Sequence, residues 1–211
     1  MSIRHASIVL ALLLAVGIEA YAQDRGFYAG ASAGKSKAIQ PVVCSDGFDL
    51  NFPFTCNSSN DTATGWKIFG GYQFSRYLAA EAGYVDLGKF KTSAHGVFLG
   101  FNQQVDTSDH PSGFNLDSVW TLPIGEGFGL FARIGIFGWT LKAQTQLSAL
   151  NAGGNDTAHG FGGDIGLGAK WDFARNLGMR VEWQRFLSIG DSTTGKSDVD
   201  LISASLLFRF N

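Results

Sequence analysis

The chain has 211 residues, with 16 Lys and Arg against 18 Asp and Glu and a formal charge of −2. That balance excludes the large positive excess of a nucleic-acid binder. Charged residues make up only 16%, aromatics reach 13% and glycine occupies 28 positions, which is too charge-poor and aromatic-rich for a disordered chain.

The first element is a leader. Arg4 and His5 precede an apolar run over 8–18, and Ala20-Tyr21-Ala22 follows. A basic start, a short apolar run and an A-x-A site describe a secretory signal peptide over 1–22. The run is too short to span a bilayer as a helix, which ranks a membrane anchor lower. Residues 23–211 are then the mature domain, a length that suits one domain. Its two cysteines, Cys44 and Cys56, are expected to pair after export into an oxidising compartment. Closing such a short loop contributes about 3 kcal/mol in the chain-entropy model. A metal site is the rival use of the cysteines, but histidines are lacking nearby. No metal or cofactor is predicted.

Eight segments with a period of two follow, at 26–36, 64–74, 78–87, 114–122, 128–142, 159–171, 178–187 and 199–210. In 64–74, Trp66, Ile68, Gly70, Tyr72 and Phe74 share one face, and Lys67, Phe69, Gly71 and Gln73 the other. Segment 78–87 carries Glu81 and Tyr84, and 114–122 carries Asp117 and Trp120. In 128–142, Ala132, Ile134 and Ile136 oppose Arg133. Strict alternation would turn Trp139 the same way as Arg133, so a bulge is predicted near Gly138 to return Trp139 and Leu141 to the apolar face. In 159–171, Ile165, Leu167, Ala169 and Trp171 oppose Asp164, Gly166, Gly168 and Lys170. In 178–187, Met179, Val181 and Trp183 oppose Arg180, Glu182 and Gln184. In 199–210, Ala204, Leu206, Phe208 and Phe210 oppose Ser203, Ser205, Leu207 and Arg209. Such alternation predicts strands with one apolar face. Most match the ~9–11 residues that a tilted strand needs to cross a bilayer.

The connections alternate long and short. Residues 37–63, 88–113, 143–158 and 188–198 form long loops, and 75–77, 123–127 and 172–177 form turns. Long loops at one end and tight turns at the other are the pattern of an outer-membrane barrel. The fold class predicted is all-β, an eight-stranded antiparallel up-and-down transmembrane β-barrel. A soluble barrel with core aromatics leaves the loop asymmetry unexplained. With the N-terminus in the periplasm, Trp66, Tyr84 and Trp139 belong to an outer aromatic girdle. Phe74, Tyr77, Trp120, Trp171, Phe173, Phe208 and Phe210 belong to a periplasmic one.

Polar residues then face inward. The lumen set is Lys67, Glu81, Asp117, Arg133, Asp164, Lys170, Arg180, Glu182 and Arg209, joined by Gln73. Five cations against four anions are close to neutral, and eight strands leave a lumen that side chains can fill. Paired charges of this kind read as a plug. A pore whose ion pairs open and close is the alternative. Inward glycines (Gly71, Gly83, Gly135, Gly166 and Gly168) make room for long side chains.

The chain resembles the OmpA-type eight-stranded outer-membrane barrels. The resemblance is carried by Gly26-Phe27-Tyr28-Ala29-Gly30, by Gly65-Trp66-Lys67-Ile68-Phe69-Gly70-Gly71-Tyr72-Gln73-Phe74 and by Leu78-Ala79-Ala80-Glu81-Ala82-Gly83-Tyr84. Further along it is carried by Phe131-Ala132-Arg133-Ile134-Gly135, Arg180-Val181-Glu182-Trp183-Gln184-Arg185-Phe186 and Asp198-Val199-Asp200-Leu201. It covers nearly the whole mature chain. It implies interior Glu–Arg and Glu–Lys pairs, with Glu81, Lys67, Arg133, Arg180 and Glu182 at the matching positions. Two departures stand out. The sequence stops at Asn211 without the peptidoglycan-binding domain that often follows such barrels, and Asn211 displaces the family's terminal aromatic to Phe210.

Enzymatic chemistry has few candidate residues in this sequence. Mature histidines are His95, His110 and His159, all placed in or beside loops. Asp109-His110-Pro111-Ser112 offers hydrolase residue types, but adjacent residues rarely converge as a triad must. Lipid-A deacylase barrels have a similar size, yet the predicted strands carry no lipid-facing His-x-Ser. Gly163-Asp164-Ile165-Gly166-Leu167-Gly168 misses the spacing of a dinucleotide-binding loop. The expectation is therefore a monomeric, non-enzymatic barrel of the bacterial outer membrane with a structural or surface-recognition role. Its expected partners are outer-membrane lipid and lipopolysaccharide, the barrel-assembly machinery during insertion, and a host or phage ligand at the loops. A small-solute pore comes second and a membrane enzyme third.

Overall fold

The computed structural model describes residues 25–39, 54–98, 101–147, 152–190 and 196–210. The predicted leader and Cys44 lie outside the described residues, as does the side chain of Cys56, so the disulfide falls outside them too. Among the described residues ten strands form: β1 (Gly26–Ala38), β2 (Phe54–Asn60), β3 (Thr62–Ser75), β4 (Leu78–Asp86), β5 (Phe90–Phe98), β6 (Phe101–Pro123), β7 (Phe128–Leu147), β8 (Ala152–Trp171), β9 (Leu177–Ile189) and β10 (Ser197–Arg209).

Eight of them close an antiparallel barrel in the order β6-β4-β3-β1-β10-β9-β8-β7, sealed by β6 against β7. The other two, β5 and β2, extend the sheet outward from the upper part of β6. Following the register from Tyr28 through Gly71, Glu81, Asp117, Gly135, Asp164, Phe186 and Val199 returns to β1 at Ala38. The walk closes ten residues further along the strand, a stagger that tilts the strands and narrows the lumen to side-chain width.

The eight barrel strands confirm the predicted architecture, but their lengths correct the predicted loops. β6 has 23 residues, and β7 and β8 have 20 each. These exceed the ~9–11 residues of a bilayer crossing. The predicted loop 88–113 is largely a β5–β6 hairpin, whose Phe98 and Phe101 pair across its tip. Gly88 allows the chain to leave β4 for β5. Its φ is +81°, and an added Cβ would sit 2.5 Å from the Thr64 carbonyl oxygen. Aspartate supports the bend, since the Gly88 N–H donates to Asp86 Oδ1 at 2.8 Å.

The outer wall is apolar. Ile68, Ile134, Ile136, Leu167, Val181 and Leu206 are all exposed on it, as a lipid-facing band requires. Trp66, Tyr84 and Phe114 line its upper border, with ring centroids 5.6 and 5.1 Å apart. Phe27, Tyr72 and Phe74 form one arc of the lower border, and Phe128, Trp171 and Phe173 another. Phe208 and Phe210 touch at 5.2 Å in the same belt, and Trp120 and Tyr77 are exposed there.

Trp139 does not belong to this belt. The β7 register runs from Gly129 to Leu147 against β6 without a shift, so no bulge forms at Gly138. Trp139 therefore points inward and is buried. Two glycines make the turn inward possible, since Trp139 lies between Gly113 and Gly160 in the register. An added Cβ on Gly160 would lie 2.4 Å from the Trp139 ring.

Candidate functional site

The lumen is built in three layers. Toward the long-loop end it is apolar: Val85, Leu87, Phe90, Phe137, Trp139, Leu141, Phe186, Ile189, Val199 and Leu201 pack as one buried cluster. Toward the short-turn end Tyr28, Phe69, Ala79, Val119, Phe131 and Leu207 form a second. Charged side chains occupy the level between. Strand alternation explains why they are inside, but not why two apolar layers enclose them.

Seven of the nine predicted lumen residues form this middle layer. Glu81 accepts from Tyr28 Oη at 2.7 Å and from Arg133 at 2.9 Å, and is bonded by Arg180. Arg133 also reaches Asp117 at 2.6 Å and Glu182 at 2.8 Å. Lys67 is bonded to Glu182 and donates to Gln184 Oε1 at 2.9 Å. Gln184 in turn donates to Asp164 at 2.6 Å, and Asn115 to Asp117 at 2.7 Å. The resemblance-based positions Glu81, Lys67, Arg133, Arg180 and Glu182 thus meet in one network. Space comes from small neighbours: a Cβ on Gly135 would lie 2.1 Å from Asp117 Oδ1, and one on Gly166 2.9 Å from Arg133.

Aromatic faces of the lower layer support the cations. The Arg180 guanidinium carbon lies 5.4, 5.6 and 5.2 Å from the rings of Tyr28, Phe69 and Phe131. Such contacts add electrostatic attraction to packing.

Lys170 and Arg209 do face inward, but at a different height. They bond Asp172 at 3.3 and 2.8 Å in the mouth at the short-turn end. The middle layer therefore has three cations, Lys67, Arg133 and Arg180, and four carboxylates. Gln73 also stays near that mouth, donating to the Ser75 carbonyl at 3.0 Å. Tyr28, Asn115 and Gln184 are the participants missed from the predicted set. The period-two pattern already placed Gln184 beside Arg180 and Glu182. Tyr28 was hidden by a β1 sequence of glycine, alanine and serine, in which neither face stands out.

A second constellation lies on the outer wall. His110 and Ser112, predicted in a loop, stand on the outward face of β6 above Phe114, so the strand carries an outward-facing His-x-Ser at the upper border of the apolar wall. The carboxylate that reaches His110 is Asp86 of β4 rather than the adjacent Asp109. Its oxygens lie 2.9 and 3.0 Å from His110 Nε2. Ser112 is the direct cross-strand partner of Asp86.

A model of the OmpA-like transmembrane domain matches residues 22–211. The chain belongs to that family. Outer membrane protein A of Klebsiella pneumoniae is 25% identical over 196 residues, covering 92% of this chain and 53% of that protein. That of Yersinia pseudotuberculosis is 26% identical over 217 residues, covering 98% and 56%. The chain spans about half the length of the curated relatives it matches. Among solved structures, Ail of Yersinia pestis superposes with a TM-score of 0.54 at 12% identity, over 89% of this chain and 99% of that one. Neisserial surface protein A gives 0.53 at 15% identity, over 88% and 97%. The barrel is thus an outer-membrane barrel, and its relatives are named as outer membrane proteins rather than as enzymes.

Proposed function

We propose that the barrel is a closed scaffold that holds a recognition surface at its long-loop end. The observation that supports this reading is the layered lumen, in which two buried apolar clusters enclose a buried, bonded charge network. Large water-filled lumens need about sixteen strands. The second support is the sheet that β5 and β2 build beyond the bilayer-crossing part of β6. It holds polar sequence such as Thr107-Ser108-Asp109 on hydrogen-bonded strands, and a scaffold of this kind positions binding residues. Basic side chains on the outer wall suit lipid phosphates at the same end. Lys35, Lys37 and Arg185 stand outward around Asp200, and Arg185 bonds Asp200 at 2.7 and 2.9 Å.

The test replaces residues 94–105, the hairpin tip, with a two-residue turn. The barrel should still fold, shown by faster gel migration of the unboiled sample, and cells displaying it should lose adhesion to host cells or adsorption of phage. Unchanged adhesion and adsorption in the shortened protein would remove the hairpin as the recognition surface.

A second reading, hydrolysis of lipid esters, has the Asp86–His110 pair beside Ser112 behind it. Micellar p-nitrophenyl ester hydrolysis lost in both His110→Asn and Ser112→Ala would support it.

A further inference from the structure

The short-turn end of the barrel carries an unusual charge. Arg25 precedes β1, Arg76 sits in the β3–β4 turn, Arg175 lies in the β8–β9 turn, and Lys170 and Arg209 face inward from β8 and β10. All five line one cavity of about 690 Å³. Among the described lining residues Asp172 is the one carboxylate, and it bonds both Lys170 and Arg209. Glu126 belongs to the adjoining β6–β7 turn but does not line the cavity.

The cavity is a blind cup. Tyr28 forms part of its inner end, and the buried layer of Phe69, Val119, Phe131 and Leu207 closes it from the charged network above. A concave site with low-dielectric walls concentrates the field of its charges. Its volume falls in the ~300–1,000 Å³ range of small-molecule sites. The ion pairs in the middle of the lumen involve Lys67, Glu81, Asp117, Arg133, Arg180 and Glu182 and draw on none of the cations that line the cup.

We propose that this cup is a binding site for a small, water-soluble, multivalent oxyanion, bearing phosphate or carboxylate groups, that enters from the periplasmic side. Arginine forks match the paired oxygens of such groups. Lys170 and Arg209, held in place by Asp172, form the fixed inner part of the site. Arg25 and Arg175 form the rim that captures the ligand.

The test is calorimetric titration of inorganic pyrophosphate into the refolded barrel in nonionic micelles, at constant ionic strength. The expected result is saturable one-site binding, tighter for pyrophosphate than for monophosphate. The variant Arg25→Gln/Arg175→Gln should weaken it about tenfold or more, since charge-assisted bonds are lost. Both residues are exposed at strand ends, so folding should survive, and gel migration checks this. The variant Lys35→Gln/Lys37→Gln, with its changes at the opposite end, should bind as tightly as the parent. Three results would overturn the proposal: no saturable heat, equal weakening in the two variants, or displacement of pyrophosphate by added phosphatidylglycerol. The last would assign the cup to lipid headgroups instead.

Discussion

Replacing Arg133 with methionine should unlock the lumen. The guanidinium bonds three carboxylates, Asp117 at 2.6 Å, Glu182 at 2.8 Å and Glu81 at 2.9 Å. Methionine keeps much of the volume and removes the charge. Four buried carboxylates then face only Lys67 and Arg180. Stripping one partner from a buried ion pair costs about 3–5 kcal/mol, because the remaining charge keeps its desolvation penalty. The surrounding layers give water little access to repair this. The assay is reversible urea unfolding in lipid vesicles, read by tryptophan fluorescence and by gel migration. Arg133→Met should lose about 3–5 kcal/mol, and Arg133→Met/Asp117→Asn should recover more than ~1 kcal/mol of it through coupling between contacting residues. A loss below ~1 kcal/mol is the scale of solvent-screened pairs. It would mean that water reaches the middle layer and that the lumen is not sealed.

Other changes probe the same account. Asp164→Asn should cost less than ~1 kcal/mol, because it removes the carboxylate in excess over the three cations, whereas Glu81→Gln should cost about 3 kcal/mol or more; urea midpoints compare the two. Trp139→Ala empties the upper apolar layer and should cost about 3–5 kcal/mol, while a girdle tryptophan such as Trp66 should cost less under the same assay. Ile134→Arg places a cation on the lipid-facing wall and should cost about 2–4 kcal/mol near the bilayer midplane, measured by vesicle refolding. Burial pushes the Asp109 carboxyl, on the part of β6 above the bilayer, upward from its ordinary value. Its charged form then opposes folding, so its contribution falls as pH rises from the unfolded value through the folded one. Asp109→Asn should be more stable than the parent at pH 7, with the difference vanishing at pH 3 in paired urea titrations.

Much of the barrel was legible because membrane strands obey two faces. Arg180, Glu182 and Gln184 alternate with Met179, Val181 and Trp183, and that parity holds in the structure. Height was not legible. Parity turned Lys170 and Arg209 inward but could not place them in the mouth, which depends on Asp172 in the following turn. Trp139 was misread because tryptophan favours the lipid interface, and nothing local reveals that the upper lumen is apolar. Its inward turn depends on Gly113 and Gly160, each more than twenty residues away in sequence. The upper half of β6 reads as a loop because polar residues such as Asn102, Gln103, Gln104, Asp106, Thr107, Ser108 and Asp109 fall on both of its faces and erase the alternation. His110 met Asp86 only through the β4–β6 register, which a single sequence does not state.

The most direct test of the closed scaffold is single-channel recording of the refolded chain in planar bilayers. Folding would be verified first by gel migration. The layered lumen predicts a folded, electrically silent barrel, with conductance emerging only when a layer is breached, as in Trp139→Ala or Arg133→Met. Steady conductance steps from the unaltered chain, shifted by substitutions at Lys67 or Glu182, would contradict it and make the barrel a pore.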